Sequence, residues 1–174
     1  MRDHLRLPFL ALASWVIAGC AATPTVQQVR PIEADLSRFT SLQVVMDAAQ
    51  HVRSKPGSDI TSAELQREFI ANVAASGRYA YVGPEKQPGK CLEARLTITD
   101  LNYVSGAARG SGGILAGRAI LFVTMTLKDI EAGQDVGAIT ASHTSSHGQG
   151  VFSPVTSTQI TAIAKEFSSK LTAR

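Results

Sequence analysis

Cys91-Leu92-Glu93-Ala94-Arg95-Leu96-Thr97-Ile98-Thr99-Asp100-Leu101-Asn102-Tyr103 is the stretch that decides the fold. Leu92, Ala94, Leu96 and Ile98 alternate with Glu93, Arg95, Thr97 and Thr99. A period of two with one apolar and one polar set describes a strand with one buried and one wet face. The phase slips at Asp100, after which Leu101 and Tyr103 form the apolar pair, and one extra residue there predicts a β-bulge. A sheet built from such strands needs cover on one face only, which makes two layers the natural architecture.

The neighbouring segments supply the other strands and the cover. Leu42, Val44, Met46 and Ala48 alternate with Gln43, Val45 and Asp47, a second strand, which a loop at Lys55-Pro56-Gly57-Ser58 ends. Thr61 to Ser76 reads as a helix with a capping box at Thr61-Ser62-Ala63-Glu64, a hydrophobic staple between Ile60 and Leu65, and an apolar stripe of Leu65, Phe69, Ile70 and Val73. Gly77 follows where a left-handed cap belongs. Tyr79 to Val82 predicts a short strand, stopped by Gly83-Pro84. Ala119, Leu121, Val123, Met125 and Leu127 define a further strand, and a turn at Asp129 to Gly133 leads to a weaker one, Asp135 to Ser145, which closes a hairpin. Ser153 and Pro154 suit a helix start, and Ile160, Ile163, Ala164, Phe167 and Leu171 form the stripe of the last helix. The expected fold is α+β: a two-layer domain with a mixed β-sheet of about five strands and two helices on one face. The first strand–helix–strand unit is expected to be a right-handed crossover between parallel strands.

Upstream of that domain the chain reads as an export and anchoring signal. Arg2 and Arg6 precede the apolar run Leu7 to Ala18, which is too short to span a bilayer core of ~30 Å. Ile17-Ala18-Gly19-Cys20 resembles the bacterial lipobox, in which the cysteine is lipidated and becomes the mature N-terminus. Residues 1–19 are therefore read as a lipoprotein signal peptide, 20–36 as a flexible tether, and 37–174 as a single α/β domain. Ala21 stands after the cysteine in place of an aspartate, and by resemblance to enterobacterial sorting this places the lipid anchor in the outer membrane with the domain in the periplasm.

Composition narrows the partners. Without Arg2, Asp3 and Arg6 the chain keeps fifteen basic and thirteen acidic residues, interspersed and without a basic tract. Nothing in that pattern calls for nucleic acid. With Cys20 lipidated, Cys91 stands alone and reads as a small buried hydrophobe.

Three features bear on possible chemistry. Gly112 to Ala119 is a near miss to the phosphate-loop pattern, but Arg118 and Ala119 replace the lysine and hydroxyl residue, and a strand follows where a helix is needed. The long connection from Ser105 to Arg118 is either a bulged or mobile link between strands or a partner-binding loop. In the second case Arg109, Gly110, Gly112, Gly113 and Gly117 are its contact residues. His143 and His147, four apart, span a strand end and a Gly/Ser-rich loop, so a solvated pair is favoured over a metal site. No catalytic residue, metal site or cofactor is expected, the scattered carboxylates reading as caps and solvated turns.

The ordered set of elements resembles an uncharacterised family of bacterial lipoproteins, domain of unknown function 4410. The resemblance runs through the lipobox at Cys20, the strand Leu42 to Asp47, Gly77-Arg78-Tyr79, the glycine-rich connection through Gly117, the strand Phe122 to Asp129, Gly133 and the last helix. The family's acid–threonine–glycine turn is here Glu131-Ala132-Gly133. More distantly the chain looks like small domains of envelope lipoproteins that serve assembly machines. The resemblance implies no reaction or ligand. The expectation is a membrane-anchored, non-catalytic binding or assembly component of the cell envelope. Its partners would be the membrane, through Cys20, and an envelope protein or further copies of itself. A small-ligand or metal binder is the alternative, and an envelope hydrolase a weaker one.

Overall fold

A computed structural model describes residues 24–103, 119–144 and 155–173. The elements in chain order are β1 (Thr25–Arg30), a 3-10 turn (Leu36–Arg38), β2 (Ser41–Ala48), α1 (Gln50–Arg53), α2 (Ser58–Ala75), β3 (Tyr81–Gly83), β4 (Cys91–Asn102), β5 (Ile120–Asp129), β6 (Gln134–Thr144) and α3 (Val155–Thr172). The strands form one mixed sheet in the order β1-β6-β5-β4-β2-β3. β2 runs parallel to both β3 and β4, while β4–β5, β5–β6 and β6–β1 are antiparallel. The α+β, two-layer expectation holds, with six strands.

The core follows the sequence periods closely. Leu92, Ala94, Leu96 and Ile98 of β4 are fully buried, as are Leu121, Val123, Met125 and Leu127 of β5. Leu65, Phe69 and Val73 of α2 and Ile160, Ile163, Ala164, Phe167 and Leu171 of α3 close over them. The β4–β5 register shifts between Ile98 and Asp100, where the phase slip predicts a bulge. The bulge returns Leu101 to the core, 1% exposed. It also turns Asp100 outward, where its Oδ1 accepts from the Leu101 amide at 2.8 Å and from Lys55 Nζ at 2.7 Å.

The β5–β6 turn is held by a buried carboxylate. Asp129 Oδ1 accepts from the amides of Glu131 and Ala132, each at 3.0 Å, and Gly133 takes a φ of 68°. Arg38 Nη2 donates to Asp129 Oδ2 at 2.5 Å and so ties the 3-10 turn to this end of the sheet. At the C-terminus of α2, Gly77 adopts the expected left-handed φ of 65°.

Three sequence expectations are corrected. The first is the tether, read as flexible through residue 36. From Thr25 onward the chain is a sheet edge: β1 pairs with β6 in the register Thr25↔Ser142, Val26↔Ala141, Gln27↔Thr140. An edge strand exposes most of its side chains, so only Val26 packs against the core and no apolar period is written into the sequence. The second is the capping box at Thr61. Helix α2 starts a turn earlier at Ser58, with Gly57 as its N-cap residue at a φ of 79°. Thr61 is buried, Glu64 accepts from the Ser157 hydroxyl of α3, and Ile60 is 59% exposed rather than stapled. Gly57 is needed for more than its φ, because a Cβ there would lie 2.3 Å from the Tyr103 ring. The third is His143, which faces the core from β6 and is 5% exposed instead of solvated. His147, Ser153 and Pro154 lie outside the described residues.

Candidate interaction surface

Both long helices pack on the same side of the sheet, and the opposite face carries the outward side chains of β1, β6, β5, β4 and β2. Strand pairing sets these in transverse rows. Gln43, Glu93, Lys128 and Asp135 form one row, and Val45, Arg95, Thr126 and Ala138 the next. Asp47, Thr97, Thr124, Thr140 and Gln27 form a third, and Asp100, Phe122, Ser142 and Thr25 a fourth.

Much of the charge on this face is paired. Arg95 Nη2 meets Glu93 Oε1 at 2.9 Å, Arg53 Nη2 meets Asp47 Oδ1 at 2.9 Å, and Arg30 Nη1 meets Asp135 Oδ2 at 3.5 Å. Hydrogen bonds from the Ala48 amide and then Arg53 hold the Asp47 carboxyl below the ordinary range, against a smaller opposing effect of burial. The centre is neutral: the Thr124 and Thr140 hydroxyls are 3.1 Å apart, and Phe122 beside them is 36% exposed. Hydroxyls of this kind can donate or accept toward a partner without leaving a charge buried.

One end of the sheet carries a shallow depression of about 400 Å³ lined by Lys55, Pro56, Asp100, Leu101, Asn102, Tyr103 and Ile120. The hydrogen bond from Lys55 holds Asp100 below the ordinary carboxylate range, with desolvation opposing it and the Leu101 amide adding to it. Beneath this end, fully buried Gln159 of α3 donates from Nε2 to the carbonyls of Ala119, 3.1 Å, and His143, 3.2 Å. It thereby binds the start of β5 and the end of β6 to α3. The sequence reading missed Gln159. Its one signal is a glutamine placed directly against the apolar stripe that begins at Ile160.

Cys20, Arg109, Gly110, Gly112, Gly113 and Gly117 lie outside the described residues. In sequence the glycines fall between β4, which ends at Asn102, and β5, which starts at Ile120. Cys91 is buried at the start of β4. Among the described residues no three of His, Cys, Asp and Glu come together in a grouping that could hold a metal ion. Among them, too, no helix is long and apolar enough to cross a membrane.

No family model matches the chain, and no curated protein matches it, so the family resemblance of the sequence stays a resemblance. Solved structures do match. The PelC dodecamer from Paraburkholderia phytofirmans aligns in one crystal form with a TM-score of 0.58 at 19% identity, covering 87% of this chain and 98% of that one. In a second crystal form the TM-score is 0.57 at 16% identity, covering 87% and 99%. A Xanthomonas campestris protein of the domain of unknown function 330 family aligns at 0.46 and 14% identity, covering 83% and 92%. At these identities the PelC structures establish a shared fold.

Proposed function

We propose that this chain is a Cys20-lipidated component of the bacterial envelope that works by binding, and that its open sheet face engages further copies of itself. The observation that carries the reading is that face: among the described residues the helices cover one side of the sheet and nothing covers the other. Five strands spaced ~4.8 Å apart and about eight residues long present roughly 600 Å². That approaches the ~800 Å² per partner of a standard protein interface. Its largely paired charges and hydroxyl row suit a surface that is buried on assembly and still soluble alone. Self-association is favoured over a different envelope partner because PelC, which shares this fold, is a dodecamer in both crystal forms.

The anchor rests on the sequence Ile17-Ala18-Gly19-Cys20, and placement in the outer membrane on Ala21. Two or more acyl chains hold a protein to a bilayer stably, where one does so only marginally. Replacing Cys20→Ala should leave the protein without acyl mass and free of the membrane fraction. A Thr126→Cys substitution on the open face should give disulfide-linked dimers in isolated membranes, whereas Glu68→Cys on the solvent side of α2 should not. A Cys20→Ala protein that still needs detergent would refute the anchor. Equal crosslinking at both positions would refute the face.

A further inference from the structure

The segment before Phe39 is held unlike the rest of the domain. In residues 25–38 none is buried, whereas every later strand and helix among the described residues buries at least one. Phe39 is the first buried residue of the chain that the structure describes, at 4% exposure. Val26, Ile32, Ala34 and Leu36 lie against the core only in part. Val29, which the irregularity in the β1–β6 pairing leaves without a partner residue, is 63% exposed.

The attachments of this segment are few. β1 pairs with β6 alone, and Pro24 and Pro31, which have no amide hydrogen to donate, bound it. Beyond Pro31 the Glu33 amide donates to the Val136 carbonyl at 3.2 Å. Ile32 lies so close over Gly137 that a Cβ there would come within 2.9 Å of its Cγ1. At the far end Arg38 donates to Asp129 with the arginine side chain 46% exposed. From Thr40 the chain is fixed on two sides: its amide donates to the Lys90 carbonyl at 3.0 Å, and its carbonyl accepts from the Ala80 amide at 2.8 Å.

Parts of a fold with little buried apolar surface and exposed hydrogen bonds open at a lower free energy than the core does. Lifting residues 25–38 uncovers side chains that are already partly exposed, and an edge of β6 whose N–H and C=O groups then meet water. We infer that residues 25–38 form a strap that leaves the sheet as one unit and pivots at Phe39. With the strap down, Ala21, Ala22, Thr23 and Pro24 alone separate Cys20 from Thr25. Five steps of about 3.3–3.6 Å reach at most ~18 Å. With the strap released, the nineteen steps from Cys20 to Phe39 reach about 65 Å. One chain can then stand close to its anchor or far from it. That change in reach rests on the reading of Cys20 as the lipid anchor; the release of the strap does not.

The test is amide hydrogen exchange on the full lipidated chain in vesicles, read by mass spectrometry of its peptides. The amides of 25–38 should exchange together, at least ~100-fold faster than those of 92–98 and 121–127. Arg38→Ala removes the contact at one end and should quicken exchange at 26–28, the other end, by about 5-fold or more. Val26→Ala, a partly buried position, should do the same in reverse at 33–38. Exchange of 25–38 as slow as that of 121–127, or effects confined to the end that carries each substitution, overturns the strap. The intact mass of the same samples reads the anchor separately: a chain without acyl mass overturns the change in reach, whatever the exchange shows.

Discussion

Phe167→Ala tests the packing of α3 on the sheet. Phe167 is fully buried, on the stripe shared by Ile160, Ile163, Ala164 and Leu171, and packs in the same core as the inward side chains of β5 and Phe69 of α2. Losing a buried benzyl group forfeits about 2–3 kcal/mol of transfer free energy. The void left behind, roughly 100 Å³ if nothing relaxes, adds about 2 kcal/mol at ~24 cal/mol per Å³. Partial collapse of α2 and α3 toward the gap brings the expected loss to about 3–5 kcal/mol. That is a large part of the ~5–15 kcal/mol that stabilises a domain of this size. The assay is urea unfolding followed by far-UV circular dichroism. The midpoint should fall with little change in slope, because the surface exposed on unfolding is nearly the same. A loss below ~1 kcal/mol would mean that this face of α3 is not the core face and would refute the two-layer packing.

Gly57→Ala should destabilise by about 1–3 kcal/mol from its positive φ alone, and the new Cβ should also displace the Tyr103 ring, visible as altered tyrosine fluorescence. Gln159→Leu should destabilise by about 1–3 kcal/mol, since it strips a buried hydrogen bond from two carbonyls, and amide exchange should quicken first at Ile120 and Thr144. Asp100 has a folded pKa below its unfolded value near 3.8, so its contribution is present above that value and is lost as pH falls through the folded one. Asp100→Asn should therefore flatten the acid limb of urea midpoints measured between about pH 5 and pH 2, and an unchanged acid limb would remove Lys55–Asp100 as a cause.

Where side chains alternate across a buried face, the sequence was enough. The β4 period, the bulge at Asp100, the stripes of α2 and α3 and the left-handed Gly77 all appear where residue chemistry puts them. Where tertiary contacts decide, it was not. β1 buries Val26 alone and draws its order from β6, so its own residues read as a tether. The start of α2 is set by Gly57 fitting beneath Tyr103, forty-odd residues away in sequence, and this overrides the local capping signal at Thr61. Gln159 is polar yet fully buried because the ends of β5 and β6 supply its acceptors. The open face was legible as the wet half of each strand's period, but its rows required the register.

Assembly of copies of this chain through that face is open to a direct test. The most direct measurement is the native mass of the lipidated protein in mild detergent, compared with Thr124→Lys. Thr124 sits at the middle of the hydroxyl row and faces away from the core, so the substitution should leave the monomer folded while setting a charge into each buried interface. The native chain should be a multimer and Thr124→Lys a folded monomer. A native chain that stays monomeric across the concentration range, or a Thr124→Lys protein of unchanged multimeric mass, would contradict it.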